Sequence, residues 1–212
     1  LHNGMLTFAG RKMSKSLGNV MILHELLERY PAEVLRFLLL RAHYRQPLEW
    51  SEDTLAQARA TLDGWYRVLL DHADVPVEGD ELQVPEEIEQ ALCDDLNTPA
   101  AFAVLAGLAD QLRQADDSQA RRQRKAALLG AGLLLGLLQD NPEQWFQQTS
   151  AGSEIDPAWV DELLAQRVAA RAARDFARAD EIRKTLSERG IVIEDGATGT
   201  RWRVEAASAV VP

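Results

Sequence analysis

Apolar residues recur at helical spacing along most of this 212-residue chain. The clearest case starts at Ser51, where Leu55, Ala58, Leu62, Trp65, Tyr66, Leu69 and Leu70 hold one apolar face over about 16 residues, and Ser51 with Glu52 and Asp53 supplies the N-cap and an acidic first turn. Upstream, Met5 to Ala9 reads as a short strand and Gly10 to Asn19 as a polar loop. Asn19 is then expected to cap a helix over Val20 to Arg29. Pro31 opens a second helix on which Leu35, Leu38, Leu39 and Ala42 repeat at i, i+3, i+4, i+7, with Arg36, Arg41 and Arg45 elsewhere on its surface. Asp74 to Val84, with Pro76 and Gly79, reads as a linker, and Pro85 as the N1 residue of a helix from Glu86 to about Asp94. Asn97-Thr98-Pro99 caps another over Ala100 to Gln114, and a further helix covers roughly Ser118 to Leu138. Joined by short connections, these helices should pack as an antiparallel bundle.

From Asn141 to Ser153 the composition shifts to Gln, Pro, Ser and Gly around Trp145 and Phe146, which places a domain boundary there. Beyond it Asp156-Pro157 caps a helix to about Ala173, and Asp175 begins another that Gly190 ends. Ile191 to Glu194 and Arg201 to Val204 then read as strands about a glycine-containing turn. The fold expected is mainly α, an antiparallel helical bundle followed by a small α+β domain of two helices and a β-hairpin.

Composition narrows the setting. With 46% apolar and 26% charged residues the chain is of the ordinary globular kind. Its single cysteine, Cys93, excludes an internal disulfide and a zinc site of several thiolates, and a reducing, cytoplasmic location is the natural expectation. Cys93 itself, with no histidine nearby, reads as a packing residue, and His2, His24, His43 and His72 show no ligand spacing. The longest apolar run, Ala126 to Leu138, is too short for a bilayer and contains three glycines. No targeting segment is visible, and the leucine start reads as the middle of a longer protein. The net charge of −10 is unevenly spread: Glu49 to Pro99 holds 14 acidic and 2 basic residues, whereas residues 1 to 48 hold 7 basic and 3 acidic, and Gln166 to Arg189 7 basic and 4 acidic. A polyanionic partner is thus restricted to the two ends rather than excluded.

The loop Lys12-Met13-Ser14-Lys15-Ser16-Leu17-Gly18-Asn19 puts two lysines and two hydroxyls within five residues. Two ammonium groups on a short loop can neutralise charge developing on a triphosphate as its α-phosphorus is attacked, and the serines add donors. The octapeptide resembles the KMSKS signature of class I aminoacyl-tRNA synthetases, in which the loop follows a Rossmann-type catalytic domain and closes over ATP. The resemblance implies that Lys15 contacts ATP during adenylate formation, with Lys12, Ser14 and Ser16 in support, and that Mg²⁺ accompanies the nucleotide.

Within that class the remainder resembles bacterial cysteinyl-tRNA synthetases. His43-Tyr44-Arg45-Gln46-Pro47-Leu48, Ser51-Glu52-Asp53 and Asp94-Asp95-Leu96-Asn97-Thr98-Pro99 are similar to their stem-contacting, DALR-type helical domain. Arg174 to Arg183, Gly190 to Asp195 and Gly199-Thr200-Arg201-Trp202-Arg203 are similar to their small C-terminal domain. The layout this implies is a loop and connecting segment over 1–30, a tRNA-stem-contacting bundle over 31–140, a linker over 141–155 and an anticodon-binding domain over 156–212. It also implies that Arg171, Phe176, Asp180 and Asp195 face the anticodon of tRNA(Cys). A base could stack on Phe176 while guanidinium and carboxylate groups read its edges; the residues by themselves equally allow Phe176 to pack between helices and Asp180 to pair with Arg183. Arg36, Arg41 and Arg45, with His43, are expected to follow tRNA phosphates, Trp65 and Tyr66 to lie in the core, and Trp202 to pack. The ATP-binding HIGH motif and a zinc site of Cys, His and Glu ligands that selects cysteine belong upstream in that family, so this stretch alone should bind neither zinc nor cysteine and be inactive by itself. A monomer without membrane attachment is expected. Alternatives are a stand-alone tRNA-binding module and the related cysteine ligase of mycothiol synthesis, which would not need residues 156 to 205.

Overall fold

The computed structural model describes residues 2–8, 11–12, 22–147, 155–196 and 199–204, with 11, 12, 196 and 199 described by their backbone alone. The chain divides into two compact units, Leu1–Pro142 and Glu143–Pro212. Both are mainly helical.

The first unit begins with a three-stranded sheet in the order β2-β1-β3, where β1 is Leu6–Phe8, β2 is Arg11–Lys12 and β3 is Leu48–Trp50. β1 pairs antiparallel with β2 and parallel with β3. Nothing in the pattern of Leu48-Glu49-Trp50 predicts a strand, because three residues are too few to display alternation. The partner strand decides it. Gly4 lies against the same connection: its N–H donates to Tyr44 O, and a Cβ there would sit 2.0 Å from the Gln46 carbonyl oxygen, so only glycine fits.

The two helices of the crossover are α1 (Leu23–Arg29) and α2 (Ala32–Leu40). Helix α1 starts after an extended Ile22, its N-cap; Asn19, expected as the cap, lies outside the described residues. Pro31, expected to open α2, is its N-cap, with a ψ of 141° that is still extended. The buried face of α2 is Val34, Leu35, Phe37 and Leu38; Leu39, expected inside, is 49% exposed. Phe37 turns the face by packing edge-on against Trp65 at 5.4 Å and tilted against Phe102 at 4.7 Å. These rings join α2 to α3 (Glu52–Asp71) and α5 (Thr98–Arg113). In α3 the predicted face is buried throughout, and Ser51 caps it in a reciprocal box with Thr54.

Helix α4 is Glu86–Cys93, with extended Pro85 as its N-cap rather than N1, and Asn97 caps α5 by accepting from the Ala100 N–H. Helix α6 runs Ser118–Leu135 from the Asp117 cap and stops at Gly136, whose φ of +68° is left-handed. Its expected extension to Leu138 is replaced by a turn in which Leu138 also has positive φ. The basic stretch at the start of α6 is used structurally. Arg122 pairs with Glu81, and Lys125 donates to His72 O and Val75 O at 2.8 and 2.7 Å, covering carbonyls at the end of α3. Burial lowers the Lys125 pKa from its ordinary value.

One buried carboxylate holds the ends of these helices together. Glu33 accepts from the Tyr66 hydroxyl at 2.9 Å and from the backbone N–H groups of Leu138 and Gln139, both at 2.9 Å. The Tyr66 oxygen in turn accepts from the Asp140 N–H at 3.1 Å. Burial is the main reason that the Tyr66 pKa is raised far above that of a free phenol.

Where a linker was expected, Pro142–Gln147 forms α7, with Trp145 and Phe146 buried. The second unit goes on with α8 (Pro157–Ala172), α9 (Phe176–Glu188) and a hairpin of β4 (Ile191–Gly196) with β5 (Gly199–Val204), in register from Ile191 opposite Val204 to Gly196 opposite Gly199. Val160, Leu164, Ile182, Leu186, Ile191 and Trp202 form its core.

Glu33→Ala leaves a buried hydroxyl and two backbone N–H groups without their acceptor and is expected to cost about 3 kcal/mol. Tyr66→Phe removes one of the three donors to Glu33 together with the acceptor of the Asp140 N–H, and should cost about 2 kcal/mol. Urea titration followed by circular dichroism measures both; equal small losses would refute the central place of Glu33.

Candidate nucleic-acid interface

The two lysines and two serines of the loop fare unequally. Lys12 lies on edge strand β2, its backbone opposite Thr7, while Ser14, Lys15 and Ser16 lie outside the described residues.

On the first unit the structure brings together two segments about 50 residues apart. The Arg45 guanidinium donates to both oxygens of Asp95, at 2.7 and 3.2 Å, and the Tyr44 hydroxyl donates to Asp95 Oδ1 at 2.7 Å. His43 Nε2 lies 3.0 Å from the Asp95 carbonyl oxygen, and its ring stacks on Tyr44. Asp95 and Leu96 both have positive φ, at 53° and 54°, which non-glycine residues rarely adopt, so the clasp holds a strained connection between α4 and α5. The Arg45 guanidinium beside Asp95 holds its carboxyl below the ordinary 3.8, at about 2.

The three arginines expected along tRNA phosphates are therefore not equivalent. The Arg45 charge is neutralised by Asp95. Arg41 donates to Thr54 O and Gln57 Oε1, joining the end of α2 to α3. Arg36 is exposed and makes no ion pair among the described residues; its guanidinium lies over Gly136, 3.1 Å from where a Cβ would stand. Cys93, expected to pack, is exposed, because the apolar face of α4 is set by Ile88 and position 93 falls off that face.

The second unit presents a different surface. Helices α8 and α9 meet in a tight turn in which the Asp175 N–H donates to Ala170 O and Arg174 has φ of +61°. Helices usually end on glycine at such a position, so an arginine there is strained. The Asp175 side chain caps α9 through the Arg178 N–H, and the first residue of that helix, Phe176, is 63% exposed. An aromatic ring this open packs in no core. Arg171, Arg174 and Arg178 are exposed around the same turn, with Arg178 paired to Glu181. Asp180 is exposed one turn further along α9, and no ion pair joins it to Arg183 among the described residues.

Asp195 is already occupied. Its Oδ1 accepts from Arg167 at 2.9 Å and from the Thr200 hydroxyl at 2.9 Å; its Oδ2 accepts from Arg167 at 2.8 Å and from Arg171 at 3.1 Å. The Arg167 guanidinium holds the Asp195 carboxyl well below the usual carboxylate range. Sequence reasoning missed Arg167 and Thr200. The one available signal for Arg167 was its i, i+4 spacing to Arg171, which puts both on one face of α8. Trp202 is buried as expected, its indole N–H donating to Asp161 at 3.0 Å. No cluster of three or more His, Cys, Asp or Glu side chains that could hold a metal occurs among the described residues, and no helix among them is long and apolar enough to cross a membrane.

Three family descriptions match consecutive segments of this chain. Residues 1–60 match the tRNA synthetases class I (C) catalytic domain, 87–139 the DALR domain, and 157–203 the cysteinyl-tRNA ligase anticodon binding domain. Segments in this order define the C-terminal portion of a class I aminoacyl-tRNA synthetase. Curated proteins named cysteine–tRNA ligase align along nearly the whole chain: that of Parvibaculum lavamentivorans is 52% identical over 96% of this chain and 44% of its own length, and that of Xanthomonas campestris 51% identical over 96% and 43%. That of Xylella fastidiosa is 49% identical over 95% and 44%. The chain belongs to the cysteinyl-tRNA synthetase family, and it spans under half the length of the curated relatives it matches. Among solved structures, an Agrobacterium radiobacter LeuRS–tRNA–LeuAMS ternary complex gives a TM-score of 0.49 at 22% identity, covering 72% of this chain and 22% of that one.

Two measurements check these surfaces. Because the Asp95 pKa is depressed on folding, its contribution to stability is full above pH 3.8 and is lost as pH falls toward about 2. The stability difference between the parent chain and Asp95→Asn should therefore shrink over that interval in urea titrations; a constant difference would refute the clasp. Arg174→Gly relieves the left-handed strain and should raise stability by about 1 kcal/mol. A loss on urea titration would show that the arginine side chain is needed to close the turn.

Proposed function

We propose that this chain supplies a cysteine–tRNA ligase with its ATP-handling loop and with its tRNA stem- and anticodon-contacting surfaces. The observation that carries this reading is the exposed Phe176 amid exposed Arg171, Arg174 and Arg178, inside the segment that matches an anticodon binding domain. A solvent-facing ring among guanidinium groups is what an unpaired base needs: a face to stack on and fixed positive charge for its phosphates. Asp180, exposed on the next turn, can accept from a base edge.

In the reaction so proposed, the cysteine carboxylate attacks the α-phosphorus of ATP, pyrophosphate leaves, and a hydroxyl of the terminal ribose of tRNA(Cys) then takes the cysteinyl group from the adenylate, breaking the acyl–phosphate bond and releasing AMP. Lys15 and Lys12 neutralise charge that builds on the phosphates in the transition state, and Ser14 and Ser16 donate to them. Mg²⁺ accompanies the ATP. Selection of cysteine by zinc, if the complete ligase uses it, falls to a part of the protein outside this chain. Arg36 remains available to follow the tRNA backbone, whereas Arg41 would do so only with the part of its guanidinium that α3 does not engage, and Arg45 serves the Asp95 clasp. The protein works in the cytoplasm as a monomer.

In the full-length ligase, Lys15→Ala should lower cysteine-dependent pyrophosphate exchange far more than tRNA binding, since the charge it removes acts mainly in the transition state. Phe176→Ala should do the reverse, weakening tRNA(Cys) binding by about 1–3 kcal/mol while leaving exchange intact. Exchange kinetics and filter binding separate the two; loss of exchange in Phe176→Ala would contradict the stacking role.

A further inference from the structure

The clasp between residues 43–45 and Asp95 is a joint that the proposed function leaves unused. The stretch 43–52 carries both stems of the loop that holds Lys15. On the upstream side the Gly4 N–H donates to Tyr44 O at 2.6 Å and the Leu48 N–H to Met5 O at 3.0 Å, and β1 runs beside β3 from Leu6 opposite Leu48 to Phe8 opposite Trp50. Strand β2, which ends at Lys12, is paired to β1. On the downstream side the Tyr30 hydroxyl donates to Glu52 at 2.5 Å and Arg29 approaches the same carboxylate at 3.7 Å, which ties the end of α1 to the start of α3.

The two sides are held differently. Glu52 belongs to α3, a 20-residue helix with a buried face along its length. Residues 43–47 belong to no helix or strand and lie at the surface. They are tied to the bundle by Asp95, whose carboxylate takes two Arg45 donors and the Tyr44 hydroxyl. We propose that Asp95 is a positioning residue for the ATP-handling loop: by gripping Tyr44 and Arg45 it fixes the seat of Gly4 and β1, and so sets where β2 delivers Lys12 and the residues that follow. A bidentate fork fixes angle as well as distance, which is what a seat requires. The seat has no slack, because a Cβ on Gly4 would stand 2.0 Å from the Gln46 carbonyl oxygen, so a shift of this connection is carried into β1. The grip also crosses between matched segments. Residues 43–45 fall in the one that matches a class I catalytic domain and Asp95 in the one that matches a DALR domain, so the helical bundle holds a strand of the catalytic part.

The inference rests on the ATP-handling role of this loop. It is tested in the full-length ligase by cysteine-dependent pyrophosphate exchange and by filter binding of tRNA(Cys). Glycine accepts the φ of 53° at position 95, so Asp95→Gly removes the carboxylate without adding backbone strain. It should lower kcat for exchange by about 10- to 100-fold, the effect of a displacement on the order of 1 Å at the reacting groups, while tRNA(Cys) binding does not weaken. Tyr44→Phe takes away one donor to Asp95 and leaves the α4–α5 turn untouched; it should give a smaller loss of the same kind, and it keeps the test open if Asp95→Gly does not fold.

The decisive comparison adds Lys15→Ala to either variant. If Asp95 acts through the loop, loosening the seat changes little once the lysine that the loop delivers is gone, and the double variant should exchange like Lys15→Ala. A variant that only lowered the folded fraction would multiply the two losses, since unfolded protein is lost whichever residue stands at position 15. Three results would overturn the proposal: a parental exchange rate in the folded variants, losses that multiply in the double variants, or weakened tRNA(Cys) binding in place of weakened exchange, which would make the clasp an RNA contact. Lys15→Ala by itself is the control for the underlying reading. If it exchanges as the parent does, the loop does not handle ATP; if it loses exchange while Asp95→Gly and Tyr44→Phe keep it, only the positioning role fails.

Discussion

The buried carboxylate of Glu33 is the constraint on which the first unit depends. A carboxylate out of water is costly unless its oxygens are fully bonded, and here three donors converge on it from α3 and from the turn that follows α6. Two of those donors are backbone N–H groups that emerge where the chain leaves its helix through two positive-φ residues, Gly136 and Leu138. One side chain on α2 therefore both ends the last long helix of the unit and fixes α2 against α3. The register of α2 follows, and with it Phe37 in the aromatic cluster, Arg36 over Gly136, and Arg41 bonded to α3.

Both units treat acidic side chains as anchors for arginine, with opposite consequences for a polyanionic partner. In the first, Arg45, Arg59 and Arg122 pair with Asp95, Asp63 and Glu81, so much of its positive charge is spent internally against an acidic background. In the second, Arg167 absorbs most of Asp195 from a buried position, and the arginines around the α8–α9 turn stay exposed. The smaller unit thus leaves more of its positive charge open to a polyanion than the first does, which the net charge of −10 conceals.

Strain accompanies the surfaces of interest in both units. Asp95 and Leu96 are left-handed inside the clasp with His43, Tyr44 and Arg45, and Arg174 is left-handed beside Phe176. Each is held by several bonds to neighbouring elements, which is how a rarely populated backbone conformation persists.

Helix positions, caps and the hairpin were legible in the residues, because they depend on neighbours three or four places away: Ser51, Asn97, Asp156 and Asp175 each cap the helix expected of them. The family was legible as well, since its signatures are short and contiguous. What required the tertiary structure were contacts between residues far apart in the chain. Strand β3 exists because β1 lies beside it, Leu39 is exposed because Phe37 found two aromatic partners, and Arg45 is unavailable because Asp95, 50 residues on, neutralises it. The same holds for Arg167, whose place depends on Asp195 meeting it across the small domain. Local spacing records which residues share a helix face. Which carboxylate each arginine meets is set by packing between elements, and no pattern along the chain encodes it.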